Sequence, residues 1–199
     1  FEVKGYDIFT AHVSFLIFLL QNFKKTKIVH LGSILEESLD NKLLSFYGFC
    51  KKIISSLVIY LEEKKSKSNL ISLKFSQIYG PNENKDRIIS YLIKNFKKKL
   101  FIKNIHSTRN YIYIDDAVRI IFNIVNGNIK NKSIRFYFQK FTYSIIDLVK
   151  IIENLFSIKI KFNNKNLPII NFKKLNYKSV SDFNPVELTD IKEEIGRAH

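Results

Sequence analysis

Apolar positions alternate along this chain between helical spacing and short β-branched runs. "AHVSFLIFLLQNFK", residues 11–24, is apolar on most sides and predicts a helix. "TKIVHLGS", 26–33, ends in Gly-Ser and has the profile of a buried parallel strand. Over 44–61, Leu44, Phe46, Ile53, Ile54, Leu57, Val58 and Leu61 recur at helical spacing. "NLISLKFSQIYG", 69–80, predicts a second strand, stopped by Gly80-Pro81. A helix is predicted over 86–98, a strand in "KLFIKNI", and a strand passing into a helix through "NYIYIDDAVRIIFNIVNG". Asp115 or Asp116 can cap that helix and Gly127 can end it. After "SIRFYFQK", the run "TYSIIDLVKIIENLF" opens with Ser144-x-x-Asp147, a capping-box-like start. "IKIKF" predicts a brief strand, 163–185 an irregular tract, and "PVELTDIKEE" a terminal helix opened by Pro185.

Strands alternating with helices predict an α/β protein with a mainly parallel sheet. Residues 1–80 are expected to form one region, to which the strand and helix of 100–127 return, and 81–194 a smaller, more mixed one. At 46% apolar over 199 residues the chain can bury a real core, and no apolar run approaches a membrane span. The net charge of +15 would suit a nucleic-acid or anionic-membrane surface. Its lysines are spread among abundant Asn, Ile and Phe, however, so solvated faces explain it better. The single Cys50 excludes an internal disulfide framework and fits a reducing cytoplasm. It lies on the 44–61 helix, where packing explains it better than nucleophilic chemistry. His12, His30 and His106 show no metal-ligand spacing with one another or with Cys50. The sequence opens on Phe1 and holds no methionine, so a piece of a longer product is expected. Residues 195–199, "IGRAH", spell one reading frame of a widely used sequencing adapter and are expected to be a non-native tail.

Tyr47 and Lys51 stand four positions apart, hence one turn apart on one face of the predicted helix. A phenol, with an ordinary pKa near 10, is a poor acid near neutrality unless a neighbouring ammonium favours its ionised form. With that help it can exchange a proton with a sugar hydroxyl or ketone. Strand C-termini in a parallel sheet open onto one crevice. Ser33 and the Gln77–Pro81 turn are therefore expected at the same cleft, with Tyr47 presented over it.

"KIVHLGS", "SFYGFCKK", "LISLKFSQIYGPNE", "TRNYIYIDDAVRII" and "DFNPVELTDIKEEI" occur in that order. Together they resemble the extended short-chain dehydrogenase/reductases, the NAD-dependent epimerase/dehydratase proteins of nucleotide-sugar metabolism. The resemblance implies a Rossmann-like parallel sheet flanked by helices. It implies Tyr47 as proton-transfer residue, Lys51 as its partner and Ser33 as the catalytic hydroxyl. Tyr47, Lys51, Gly32 and Ile78 would meet the cofactor, NAD or NADP. Gln77, where the family has Asn, and Arg109 would meet a nucleotide-diphosphate sugar, the guanidinium suiting phosphate oxygens. Asp115 and Asp116 would be structural, as caps or partners of Arg109. A hydride to a 4-keto carbon, with the proton from Tyr47, gives a reductase; the same parts used twice give a C4 epimerase. The family also pairs through the helices that flank Tyr-x-x-x-Lys, which makes a homodimer through 11–24 and 44–61 conceivable.

The chain departs from the family in two respects. Its glycines are isolated, without the dinucleotide fingerprint, so the N-terminal βαβ units, roughly 30 residues each, are expected to be missing and tight cofactor binding with them. Ser33 is followed by Ile34-Leu35 rather than Asp-Glu; Glu36 and Glu37 are displaced, expected to face solvent, and weigh against dehydration. Two other functions stay open: a non-catalytic dinucleotide-binding sensor or scaffold, and a basic nucleic-acid-associated protein.

Overall fold

The computed structural model describes residues 3–33, 36, 45–64, 70–127, 135–138, 141–165, 191 and 195. The chain divides into two compact units, Phe1–Phe75 with Ile121–Phe138 and Asn171–Pro185, and Ser76–Ile120 with Gln139–Ile170 and Val186–His199.

In the first unit, α1 (Val3–Phe9) runs through a π turn (Thr10–Ser14) into α2 (Phe15–Asn22). The helical stretch thus starts eight positions earlier than periodicity alone predicts. Strand β1 (Ile28–Ser33) follows, then α3 (Phe46–Glu63) and β2 (Leu70–Phe75). β1 and β2 pair in parallel with Ser33 opposite Phe75, and β2 pairs in parallel with β6 (Arg135–Phe138). The central β2 is buried at every position, as a parallel strand covered on both faces should be. β1 is only half-buried, and Leu31 is exposed. Val13 and Leu16 pack with Cys50, Ile54 and Val58 of α3 and Leu70 of β2.

The run predicted as one strand over 69–80 is two. It breaks at Ser76, and β3 (Gln77–Tyr79) joins a different sheet, in the second unit. There β3 lies parallel to β5 (Thr108–Tyr113), which pairs antiparallel with β7 (Phe141–Ser144). α4 (Ile88–Asn95), β4 (Leu100–Lys103), α5 (Ile114–Asn126), α6 (Ile145–Phe156) and β8 (Phe162–Lys165) complete the described elements. β8 begins where "IKIKF" ends, and pairs in parallel with β4. Leu92, Leu100, Leu148 and Ile152 centre the second core, and Ile191 and Ile195 are buried in it. Ile195 thus packs although it stands in the segment set aside as a tail. Residues 166–185 lie outside the described ones, as do all but Ile191 of the residues predicted as a terminal helix.

Asp115 and Asp116 sit in the first turn of α5 rather than before it, and Asp116 pairs with Arg119, not Arg109. The last carbonyls of α5 are closed by Lys27, whose ammonium donates to Ile124, Val125 and Gly127 oxygens at 3.2, 3.0 and 2.9 Å. Among the described residues no helix is long and apolar enough to cross a membrane.

Candidate active site

Ser45 starts α3 by accepting the Gly48 N–H on its hydroxyl at 3.2 Å, which satisfies a donor the helix cannot. Tyr47 follows in the first turn, 36% exposed, and Lys51 one turn later is 5% exposed. The buried Lys51 ammonium donates to the Leu31 carbonyl of β1 at 2.7 Å and lies 5.7 Å from the centre of the Tyr47 ring. His12 packs edge-on against Tyr47, centroids 5.3 Å apart.

His30 adds a second hold. Its Nε2 lies 3.5 Å from Lys51 Nζ and its Nδ1 3.2 Å from Ser72 Oγ. An ammonium can only donate, so Nε2 must accept, and the ring proton belongs on Nδ1, donating to Ser72. Burial, with the Lys51 charge beside it, lowers His30 to a pKa of about 3, so the ring stays neutral and the tautomer holds. Burial lowers Lys51 too, opposed by the Glu36 carboxylate. His30 thus serves as an acceptor for the Lys51 ammonium.

Ser33 ends β1, half-buried, and its N–H donates to Glu36 Oε1 at 2.6 Å. Glu36 does not face solvent as the sequence suggests; it is buried and ion-paired with Lys74 at 2.8 Å. Two signals for this pair stand in the sequence. Ser33-x-x-Glu36 has capping-box spacing, and Lys74 interrupts an otherwise apolar central strand, where a charge needs a partner. Gly32, expected at the cofactor, is where Glu36 and Lys74 approach the backbone: a Cβ there would lie 2.9 Å from Glu36 Oε1 and 2.9 Å from Lys74 Cγ.

The structure thus gathers Ser33, Gly32, Tyr47 and Lys51 in the first unit. Gln77, Ile78 and Arg109 belong to the second. Half-buried Gln77 stands opposite Tyr111, Ile78 opposite Ile112, and Arg109 opposite Tyr143. Burial pushes the Tyr111 hydroxyl up to about 12, against the pull of the Arg109 charge. Cys50 is fully buried and its thiol is pushed up by burial, which suits packing. Among the described residues no group of three His, Cys, Asp or Glu side chains could hold a metal ion.

The NAD dependent epimerase/dehydratase family matches residues 23–134, more than half of the chain and the whole span from β1 through α5. The chain belongs to this family. No curated protein matches it. Solved structures of the same fold include the UDP-glucuronic acid 4-epimerase from Bacillus cereus, in complex with UDP-glucuronic acid and NAD. It is 22% identical at a TM-score of 0.64, over 89% of this chain and 62% of that one. The dTDP-glucose 4,6-dehydratase from Bacillus anthracis, in complex with NAD, is 14% identical at 0.69, over 86% and 61%. An NAD-dependent NDP-hexosamine 5,6-dehydratase involved in tunicamycin biosynthesis is 15% identical at 0.73, over 98% and 69%. The chain therefore spans less than two thirds of the first two.

Proposed function

We propose that this family member belongs to an NAD(P)-dependent nucleotide-sugar oxidoreductase that reduces a 4-keto sugar or inverts its C4 centre, with Tyr47, Lys51 and Ser33 as its site. The observation that carries this is the fixed ammonium of Lys51, anchored at 2.7 Å to the Leu31 carbonyl and 5.7 Å from the Tyr47 ring. A held positive charge beside a phenol favours its ionised form, which suits Tyr47 to exchange a proton with a sugar oxygen. Ser33, at the strand's C-terminal end, would hold that oxygen by a hydrogen bond.

The residues fit the nicotinamide end of the cofactor. Two acceptors face the Lys51 ammonium among the described residues, and an ammonium carries three protons, which leaves one for a ribose hydroxyl. NAD or NADP, when bound, supplies hydride exchange at the sugar carbon. Glu36, the first acidic residue after Ser33, is engaged by Lys74 and the Ser33 N–H, which favours reduction or epimerisation over loss of water. Arg109 and Gln77 are assigned to the nucleotide diphosphate and sugar, where a guanidinium fork and an amide are the appropriate donors.

The test expresses the protein from the full length of its gene and follows NADH or NADPH absorbance with 4-keto nucleotide sugars. Tyr47→Phe is expected to lower turnover about 10²–10⁴-fold, the usual worth of a proton-transfer group, while cofactor binding persists. Undiminished turnover in Tyr47→Phe rejects the assignment.

A further inference from the structure

A second charged assembly lies in the first unit, outside the Tyr47–Lys51 pair. Lys74 Nζ sits 2.8 Å from Glu36 Oε2 and donates to Ser55 Oγ at 2.8 Å, while Glu36 Oε1 accepts the Ser33 N–H at 2.6 Å. Both charged side chains are closed to solvent, at 1% and 0% exposure. Burying two charges costs desolvation that their attraction barely returns, so an apolar pair of similar volume is often as stable. A gain in stability therefore does not account for the pair. What distinguishes it is its grip: the carboxylate ends on the backbone of the serine proposed to hold the substrate oxygen. Ser55, on α3, ties the same lysine to the helix that carries Tyr47 and Lys51. The bare Cα of Gly32 lets the two side chains reach the strand end.

We propose that Glu36, held by Lys74 and Ser55, is a positioning residue that fixes Ser33 relative to α3. This rests on the role proposed above for Ser33. A carboxylate aimed at an N–H and clamped from behind leaves the serine little freedom, and a hydroxyl misplaced by a fraction of an ångström forfeits its share of transition-state stabilisation.

Removing one charge alone would leave the other buried and unpaired, which risks unfolding. The test therefore compares two doubly substituted, uncharged proteins. Glu36→Gln with Lys74→Met keeps an oxygen that can accept the Ser33 N–H; Glu36→Leu with Lys74→Met does not. Both are expected to fold, with thermal midpoints close to one another. Turnover should fall about tenfold or more in the Leu protein relative to the Gln protein, with KM little changed, the pattern of an interaction felt in the transition state. The Ser33 amide proton, read by NMR, should lie downfield in the native and Gln proteins and move upfield in the Leu protein. Equal turnover in the two, or an unmoved amide, overturns the proposal. Failure of the Tyr47 assignment reads differently: Tyr47→Phe would then turn over normally while the Gln-to-Leu ratio still judged Glu36.

Discussion

Lys51 and His30 divide one task between them. The lysine supplies the charge at the candidate site, and the histidine, neutral because it is buried, supplies an acceptor that a charged ring could not. The cost appears on acidification. His30 has its folded pKa at about 3, well below its ordinary 6.5. The unfolded chain thus takes up a proton as pH falls through 6.5, and the folded chain does not until about 3. Stability from this group is full above 6.5 and is lost on descending toward 3, at up to about 1.4 kcal/mol per pH unit. Urea unfolding of His30→Gln across that window should show a shallower slope than the native protein; an unchanged slope would mean that His30 protonates in the folded state. That Tyr47 and Lys51 stand one turn apart on one helix was legible in sequence because a four-residue spacing is local. His30 was not, because its hold on Ser72 of β2 spans some forty positions, and Glu36 was only in part: its spacing to Ser33 is local, but its pairing with Lys74 is made by folding.

At the scale of elements, the chain's own punctuation was mostly readable. Ser144 and Asp147 form the reciprocal capping box that their spacing predicts, Ser144 Oγ accepting the Asp147 N–H at 3.2 Å and Asp147 accepting the Ser144 N–H at 2.9 Å. Ser144→Ala should cost about 1 kcal/mol, measured by denaturant unfolding, while Ser144→Thr should cost less. The cap on α5 was not readable, since Lys27 lies almost a hundred positions from the carbonyls it closes. Lys27→Met should destabilise by about 1 kcal/mol and Lys27→Arg by less, because the charge at the helix end is retained. The break at Ser76 was hidden for a different reason. Residues 70–79 keep an extended, largely apolar pattern throughout, and periodicity carries no mark of a change of sheet partner. Likewise the π turn over 10–14 leaves the apolar pattern intact, so the stretch reads as ordinary helix.

For the whole molecule, the two units answer to different parts of the sequence. The first takes a parallel sheet and the candidate proton-transfer residues; the second takes the strands that carry Gln77 and Arg109. Family membership was legible through ordered local motifs even though the solved relatives named above are 14–22% identical. Among the described residues, four of those motifs cover strand ends or helix starts, the ends of β1, β3 and β5 and the starts of α3 and α5, where backbone geometry restricts the residue. The charge of +15 shapes solubility and encounter with anions more than it shapes the fold. Cys50 offers something further. It is the chain's single cysteine and is completely enclosed between α3 and its neighbours, so a thiol-reactive dye can reach it only when that interior opens. The rate of labelling at saturating dye thus clocks the spontaneous breathing of the first unit, in the unaltered protein and without any engineered probe.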